Sequence, residues 1–166
     1  MNIPFSPPDI TEEEIEAVAE VMRSGWITTG PKTKELERKM AEFTHTNRGV
    51  CLNSATSCME MALRLFEIGP GDEVIVPAYT YTASASVVCH VGATLRLVDV
   101  EKGTFHIDYA AVESMINENT KAIIPVDLGG VMVDYDRIRA IVESKKSLFR
   151  PSSKMQEALG LSLIHI

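Results

Sequence analysis

No run of this 166-residue chain reaches the ~20 consecutive apolar residues that a helix needs to span a bilayer. The opening Met1-Asn2-Ile3-Pro4-Phe5-Ser6-Pro7-Pro8 has neither a basic start nor an apolar core, so it does not read as a signal peptide. Basic charge is also in short supply. Lys and Arg total 16 against 23 Asp and Glu, a net charge of −7 that argues against nucleic acid or an anionic membrane as the main partner. A local dipolar pocket for a phosphorylated small molecule stays open. Cysteine is scarce: Cys51, Cys58 and Cys89 are scattered among apolar neighbours, without CxxC spacing or paired histidines. That pattern offers no zinc site and predicts buried thiols in a reducing cytoplasm. Neither GxGxxG nor GxxxxGK[ST] occurs, which removes the common dinucleotide and P-loop signatures. No internal repeat is present.

What the chain does carry is an alternation of helix and strand patterns. With 45% hydrophobic and 23% charged residues it can bury a core, and its length suits about one domain. Thr11 with Glu14 predicts a capping box, and Ile15, Val18, Ala19 and Met22 form the apolar stripe of a helix ending at Ser24-Gly25. Gly25–Pro31 follows as a loop and Lys32–Phe43 as a second helix. Gly49–Leu52 has strand character, Thr56–Phe66 has helical spacing, and Gly69-Pro70-Gly71-Asp72 has the composition of a turn. Strands are expected at Glu73–Pro77, Thr94–Val100 and Ala122–Val126. Helices are expected over Thr80–His90, Asp108–Ile116 and Tyr135–Val142.

Short apolar strands between amphipathic helices predict an α/β fold whose parallel sheet is covered on both faces. Ligands of such sheets bind at the carboxyl ends of the strands. The segments expected there, facing one crevice, are Asn53–Ser57, Ala78–Thr82, Asp99–Glu101 and Asp127–Gly130. Asn53-Ser54-Ala55-Thr56-Ser57 joins an apolar run to a helix start and is built of small and hydroxyl side chains. Free N–H groups and the positive end of the helix dipole there suit a phosphate. Ser, Thr and Asn are equally the preferred caps of any helix, so ordinary capping is the competing reading. Tyr79-Thr80-Tyr81 adds two aromatics after a buried strand, and one of them could stack on a flat heterocycle. A phosphate cradle beside an aromatic platform suits a phosphorylated planar cofactor, and pyridoxal phosphate fits better than a dinucleotide.

These segments together resemble the DegT-type sugar aminotransferases, pyridoxal-phosphate enzymes of the aspartate-aminotransferase fold. The likeness runs from about Ile3 to about Val142. It is carried by Ser24-Gly25-Trp26-Ile27-Thr28-Thr29-Gly30-Pro31-Lys32, by Asn53–Ser57, by Gly71–Tyr81, and by Thr120–Val126 followed by Gly129-Gly130. The resemblance implies the parallel-sheet, three-layer large domain of fold-type I transferases, truncated here after about four strands. It implies transfer of an amino group from glutamate to a nucleotide-linked keto-sugar, in polysaccharide or surface-glycan biosynthesis, by a cytoplasmic homodimer. Carried over by position, Ser54, Ala55 and Thr56 would hold the cofactor phosphate, largely through backbone N–H groups. Tyr81 would stack on the pyridine ring, and Trp26 and Thr29 would lie near the sugar. Asp127 stands where the family often has a histidine.

The resemblance also places the catalytic lysine beyond residue 166, so no residue of this chain is assigned a catalytic role. Lys154 is not a substitute, because Leu148–Lys154 is expected to be an exposed loop with no strand to aim the amine. The connection from Lys145 to Gly160 is longer than the family's usual one. The last six residues, Leu161-Ser162-Leu163-Ile164-His165-Ile166, fit nothing before them. One choice of codons for them spells CTGTCTCTTATACACATC, which resembles a transposon end used in sequencing libraries. Residues 1–160 are therefore expected to be the native N-terminal part and 161–166 an adapter-derived tail; the same six codons followed by a stop in the genome would overturn this. The alternative function is a non-catalytic α/β module that binds a phosphorylated ligand.

Overall fold

The computed structural model describes residues 6–158 and 164–165, which divide into two compact units, Met1–Cys51 and Leu52–Ile166. The first unit holds helices α1 (Glu12–Ser24) and α2 (Pro31–Phe43). The capping box forms as expected: the Thr11 hydroxyl accepts from the Glu13 N–H, and the Glu14 carboxylate accepts from the Thr11 N–H at 2.7 Å. Gly25 caps the far end, and Pro31 opens α2 at a position where its missing N–H costs nothing.

The strand expected at Gly49–Leu52 does not form. No strand lies beside it among the described residues, and its backbone bonds elsewhere. The Cys51 N–H donates to the Glu37 carboxylate of α2 at 3.1 Å, while Val50 and Leu52 stay exposed. An apolar run without a ladder partner has no reason to hold extended geometry.

The second unit contains α3 (Ala55–Leu65), β1 (Glu73–Pro77), α4 (Ala83–His90), β2 (Thr94–Val98), α5 (Tyr109–Met115), β3 (Thr120–Ile123), α6 (Tyr135–Lys145), α7 (Lys154–Ala158) and β4 (Ile164–His165). All strand pairs are parallel, in the order β2-β1-β3-β4. Strand alternation sorts the core into two layers. Val74 and Val76 of β1, with Ala122 and Ile124, face Leu63 of α3 and Val87 and Val88 of α4. Ile75 and Ile123 point the other way, against Val112 of α5 and Ile138 and Ile141 of α6. The result is the three-layer α/β arrangement, with a sheet buried on both faces.

Several boundaries move for local reasons. β2 stops at Val98 because the Asp99 carbonyl accepts from the Asp108 N–H and Val100 pairs antiparallel with Ile107. α4 starts at Ala83, since Tyr79–Thr82 is spent on a turn. The expected burial of the thiols is corrected: Cys58 and Cys89 are exposed and Cys51 is half-buried, because the packed faces of α3 and α4 are filled by Leu63, Val87 and Val88. Lys154 lies in the first turn of α7 rather than in a loop, and its side chain is exposed.

α7 is docked by a buried polar network. The Asp72 carboxylate accepts from the Gly69 N–H and the Ser152 hydroxyl, each at 3.0 Å. Buried Gln156 donates to the Phe66 carbonyl at 3.0 Å and accepts from the Ser152 N–H at 3.0 Å. The Lys121 ammonium sits 4.0 Å from Asp72, donates to the Glu118 carbonyl at 2.6 Å, and lies 5.1 Å from the centre of the Phe149 ring. Of the tail, only Ile164 and His165 are described, where their backbones pair with Ala122 and Ile123. A parallel ladder uses main-chain groups and accepts any extended segment. The other residues of 161–166 lie outside the described residues.

Candidate functional site

The carboxyl ends of β1 and β3 open into a cavity of about 530 Å³, lined by Ala78, Tyr79, Thr80, Phe105, Leu128, Gly129 and Val131. Two of the expected segments, Ala78–Thr82 and Asp127–Gly130, therefore do meet. Asp99 and Glu101 do not line this cavity: the Asp99 carboxylate accepts from the Val100 N–H, and Glu101 pairs with Arg137 at 3.2 Å. Asn53–Ser57 lies outside its lining as well.

At the start of α3, Ser54 is the N-cap. Its hydroxyl accepts from the Ser57 N–H at 3.1 Å and lies 3.0 Å from the Ser57 hydroxyl. The capping alternative thus describes the Ser54 side chain. Ala55 and Thr56 occupy the first two helical positions, whose N–H groups have no acceptor within the helix. These N–H groups, the helix dipole and the Thr56 hydroxyl are what the joint offers an anion.

The two tyrosines are placed differently. Tyr79 stacks on Phe105 with ring centres 5.3 Å apart and planes 17° apart. Tyr81 is 81% exposed just before α4, and the aromatic contacts of the described residues leave its ring face open. Thr80 between them shares a 3.1 Å hydroxyl contact with Ser84.

The turn after β3 supplies Leu128, Gly129 and Val131 to the same cavity. Gly129 and Gly130 have φ of 63° and 80°, a left-handed pair that residues with a Cβ adopt only under strain. Asp127 braces this turn. Its carboxylate accepts from the Val133 N–H at 2.8 Å and from the Tyr135 hydroxyl at 2.9 Å. Burial, and then the bond to Asp127, push the Tyr135 phenol above its ordinary pKa. Asp127 is thus a turn brace as well as a strand-end carboxylate. Leu128 and Gly129 come from the expected Asp127–Gly130 segment, whereas sequence reasoning missed Phe105 and Val131 as cavity walls, since only tertiary folding brings them to Tyr79.

Trp26 and Thr29 belong to the first unit. The Trp26 indole N–H donates to the Thr29 carbonyl at 3.1 Å, and the ring lies so close to Gly30 that a Cβ there would overlap it. Together with Ile27, Pro31 and Lys32 of the same unit, Trp26 borders a cavity of about 340 Å³. Among the described residues there is no cluster of His, Cys, Asp and Glu able to hold a metal ion, and no helix long and apolar enough to cross a membrane.

The profile of the DegT/DnrJ/EryC1/StrS aminotransferase family matches residues 8–149. Among solved structures, the chain is similar to Spr1654 of Streptococcus pneumoniae, described as a sugar aminotransferase, with 58% identity and a TM-score of 0.93. That match covers 99% of this chain and 41% of the other, and the same protein has been solved in pyridoxal-phosphate and pyridoxamine-phosphate forms. DesV of S. venezuelae is 37% identical over 80% of this chain and 36% of its own, with a TM-score of 0.76. An aminotransferase from Psychrobacter cryohalolentis is 34% identical over 85% of this chain and 36% of its own, with a TM-score of 0.79. The chain therefore spans well under half the length of the proteins it matches.

Proposed function

The chain belongs to the DegT/DnrJ/EryC1/StrS aminotransferase family, and from that membership we propose that it is the N-terminal part of a pyridoxal-phosphate enzyme that aminates a nucleotide-linked keto-sugar. Glutamate gives up the amino group and leaves as 2-oxoglutarate. The observation that carries this reading is the 58% identity, over 99% of this chain, to a sugar aminotransferase solved with pyridoxal phosphate. Residues 1–160 are the N-terminal part of the large domain in this reading, and 161–166 the adapter-derived tail. The complete enzyme is a cytoplasmic homodimer serving polysaccharide or surface-glycan synthesis, and the fragment by itself is inactive.

The residues present suit the cofactor. The open N–H groups of Ala55 and Thr56 at the dipole end of α3 match a phosphate, and the exposed face of Tyr81 matches a flat ring. When bound, pyridoxal phosphate supplies the electron sink that amino-group transfer requires. In this reading Ala55 and Thr56 fix the phosphate, Ser54 keeps the helix start formed, and Tyr81 sets the plane of the ring. The family resemblance assigns Trp26 and Thr29 to the sugar substrate. The lysine that anchors the cofactor and moves the proton lies beyond residue 166. Among the described lysines, Lys121 is committed to Asp72 and Glu118, while Lys154 projects to solvent from α7.

The test is turnover by the completed enzyme, in which this chain continues into its C-terminal part. With pyridoxal phosphate, glutamate and a panel of nucleotide-linked keto-sugars, one aminated sugar nucleotide and an equal amount of 2-oxoglutarate should form. Amination of the free keto-sugar in preference to every nucleotide-linked one would overturn the substrate assignment.

A further inference from the structure

We propose that the Tyr79–Phe105 stack and the turn after β3 form a subsite for the uncharged heteroaromatic base of the substrate's nucleotide. This rests on the nucleotide-linked reading above and says which side chains of this chain would take the base.

Four observations carry it. First, the two rings are stacked on each other yet remain 55% and 56% exposed, so each keeps apolar surface in contact with water. A flat ring added to that stack would bury it, and offset stacking at such spacing is favourable. Second, the cavity holds no charged side chain: its polar groups are the Tyr79 hydroxyl and Thr80, and Thr80 already faces Ser84. Such a lining suits a neutral ring and offers a phosphate no cationic side chain. Third, its volume of about 530 Å³ lies within the roughly 300–1,000 Å³ typical of small-ligand sites. Fourth, the turn that completes the lining is held in shape. Asp127 ties the Gly129–Gly130 turn to the Val133 N–H and to the Tyr135 hydroxyl, which braces the segment that brings Leu128 and Val131 to the cavity lining.

The position agrees with the proposed cofactor arrangement. Tyr79 and Tyr81 flank Thr80 in one loop at the end of β1, with Tyr79 committed to Phe105 and Tyr81 open. One tyrosine is thus free for the cofactor ring, while the other builds a separate shelf beside it.

Equilibrium binding of UDP, TDP, CDP, GDP and pyrophosphate to the completed holoenzyme tests this. At least one nucleoside diphosphate should bind. Tyr79→Leu and Phe105→Leu keep apolar bulk but remove the π-face, and each should weaken that nucleoside diphosphate roughly tenfold, within the range for loss of one base–aromatic stack. Pyrophosphate binding should not change, and Tyr79→Phe should bind as the parent does. Val131→Trp fills the cavity from the turn after β3 and should weaken the same nucleoside diphosphate without altering the stacked pair. Unchanged nucleoside diphosphate affinity in both Leu variants would overturn the subsite and leave the substrate reading standing. So would an equal loss of pyrophosphate, which would report general damage. Failure of the parent enzyme to bind any of the four nucleotides would overturn the nucleotide-linked reading, and the subsite with it.

Discussion

Thr56 and Tyr81 act on different parts of the proposed cofactor, so their effects should separate. Thr56→Val keeps the backbone N–H and removes only the hydroxyl. In the completed enzyme it should cost about 1–2 kcal/mol of pyridoxal-phosphate affinity, the scale of one hydrogen bond to a charged group. Tyr81→Ala removes the open ring face, should cost a similar or larger amount, and should shift the cofactor's absorbance. Lys154→Ala should change neither, since that amine points to solvent from α7. Titration of the three variants with the cofactor decides, and Tyr81→Ala binding as tightly as the parent would move the platform to Tyr79. In the other unit, Gly30→Ala places a methyl group where the Trp26 indole lies. Because Trp26 is the sole tryptophan and its indole must move off the Thr29 carbonyl to make room, its emission should change, and an unchanged spectrum would show that the loop yields without cost.

The second unit's elements are held by two kinds of contact that should respond differently to mutation. Ile75 is fully buried between the sheet and α5 and α6, and Ile75→Ala should destabilise by about 2–5 kcal/mol, the cost of a core cavity. The Asp72–Lys121 pair is polar, and its two members are not equivalent. Asp72→Ala strips Lys121 of its counter-charge and leaves the Ser152 hydroxyl and the Gly69 N–H without their carboxylate acceptor. A loss of about 3–5 kcal/mol is expected, as for removing one partner of a buried ion pair. Lys121→Met leaves Asp72 its two hydrogen bonds and removes a cation that burial disfavours, so its cost should be far smaller. Burial lowers the Lys121 pKa, partly offset by Asp72. The folded state therefore binds fewer protons than the unfolded chain between the lowered folded pKa and the ordinary lysine value. Stability from this group should rise with pH across that window, and the rise should vanish in Lys121→Met. Chemical denaturation of both proteins as a function of pH would show it; parallel curves would assign the shift no role.

For the molecule as a whole, exposed apolar surface is the dominant physical fact. Ile15, Val18 and Met22 on α1, and Leu36, Met40 and Phe43 on α2, all remain exposed in the first unit. In the second unit Met61, Leu65 and Leu97 do the same, and among the described residues β2 ends the sheet with one edge unpaired. Faces patterned at helical spacing are built to be covered, and an unpaired strand edge recruits other chains. The isolated chain should accordingly self-associate, read as large species in light scattering. A monodisperse monomer with one sharp thermal transition would contradict this.

Local pattern sufficed where neighbouring residues decide the outcome. The Thr11–Glu14 capping box and β1 from Glu73 to Pro77 were legible in the order of the residues, while the split of Val74 and Ile75 between opposite layers came with the folded sheet. The family and the helix start that presents Ala55 and Thr56 were legible too. Tertiary structure decided what depends on partners distant in sequence. Gly49–Leu52 has the composition of a strand but, among the described residues, no ladder to join, and Cys58 and Cys89 lie on exposed faces. Asp127 became the brace of a turn because folding brought the Val133 N–H and the Tyr135 hydroxyl to it. Phe105 reached Tyr79 only because the chain bends back after β2. Periodicity and caps depend on residues a few positions apart, whereas a cavity wall or a buried ion pair depends on where separate elements come to rest.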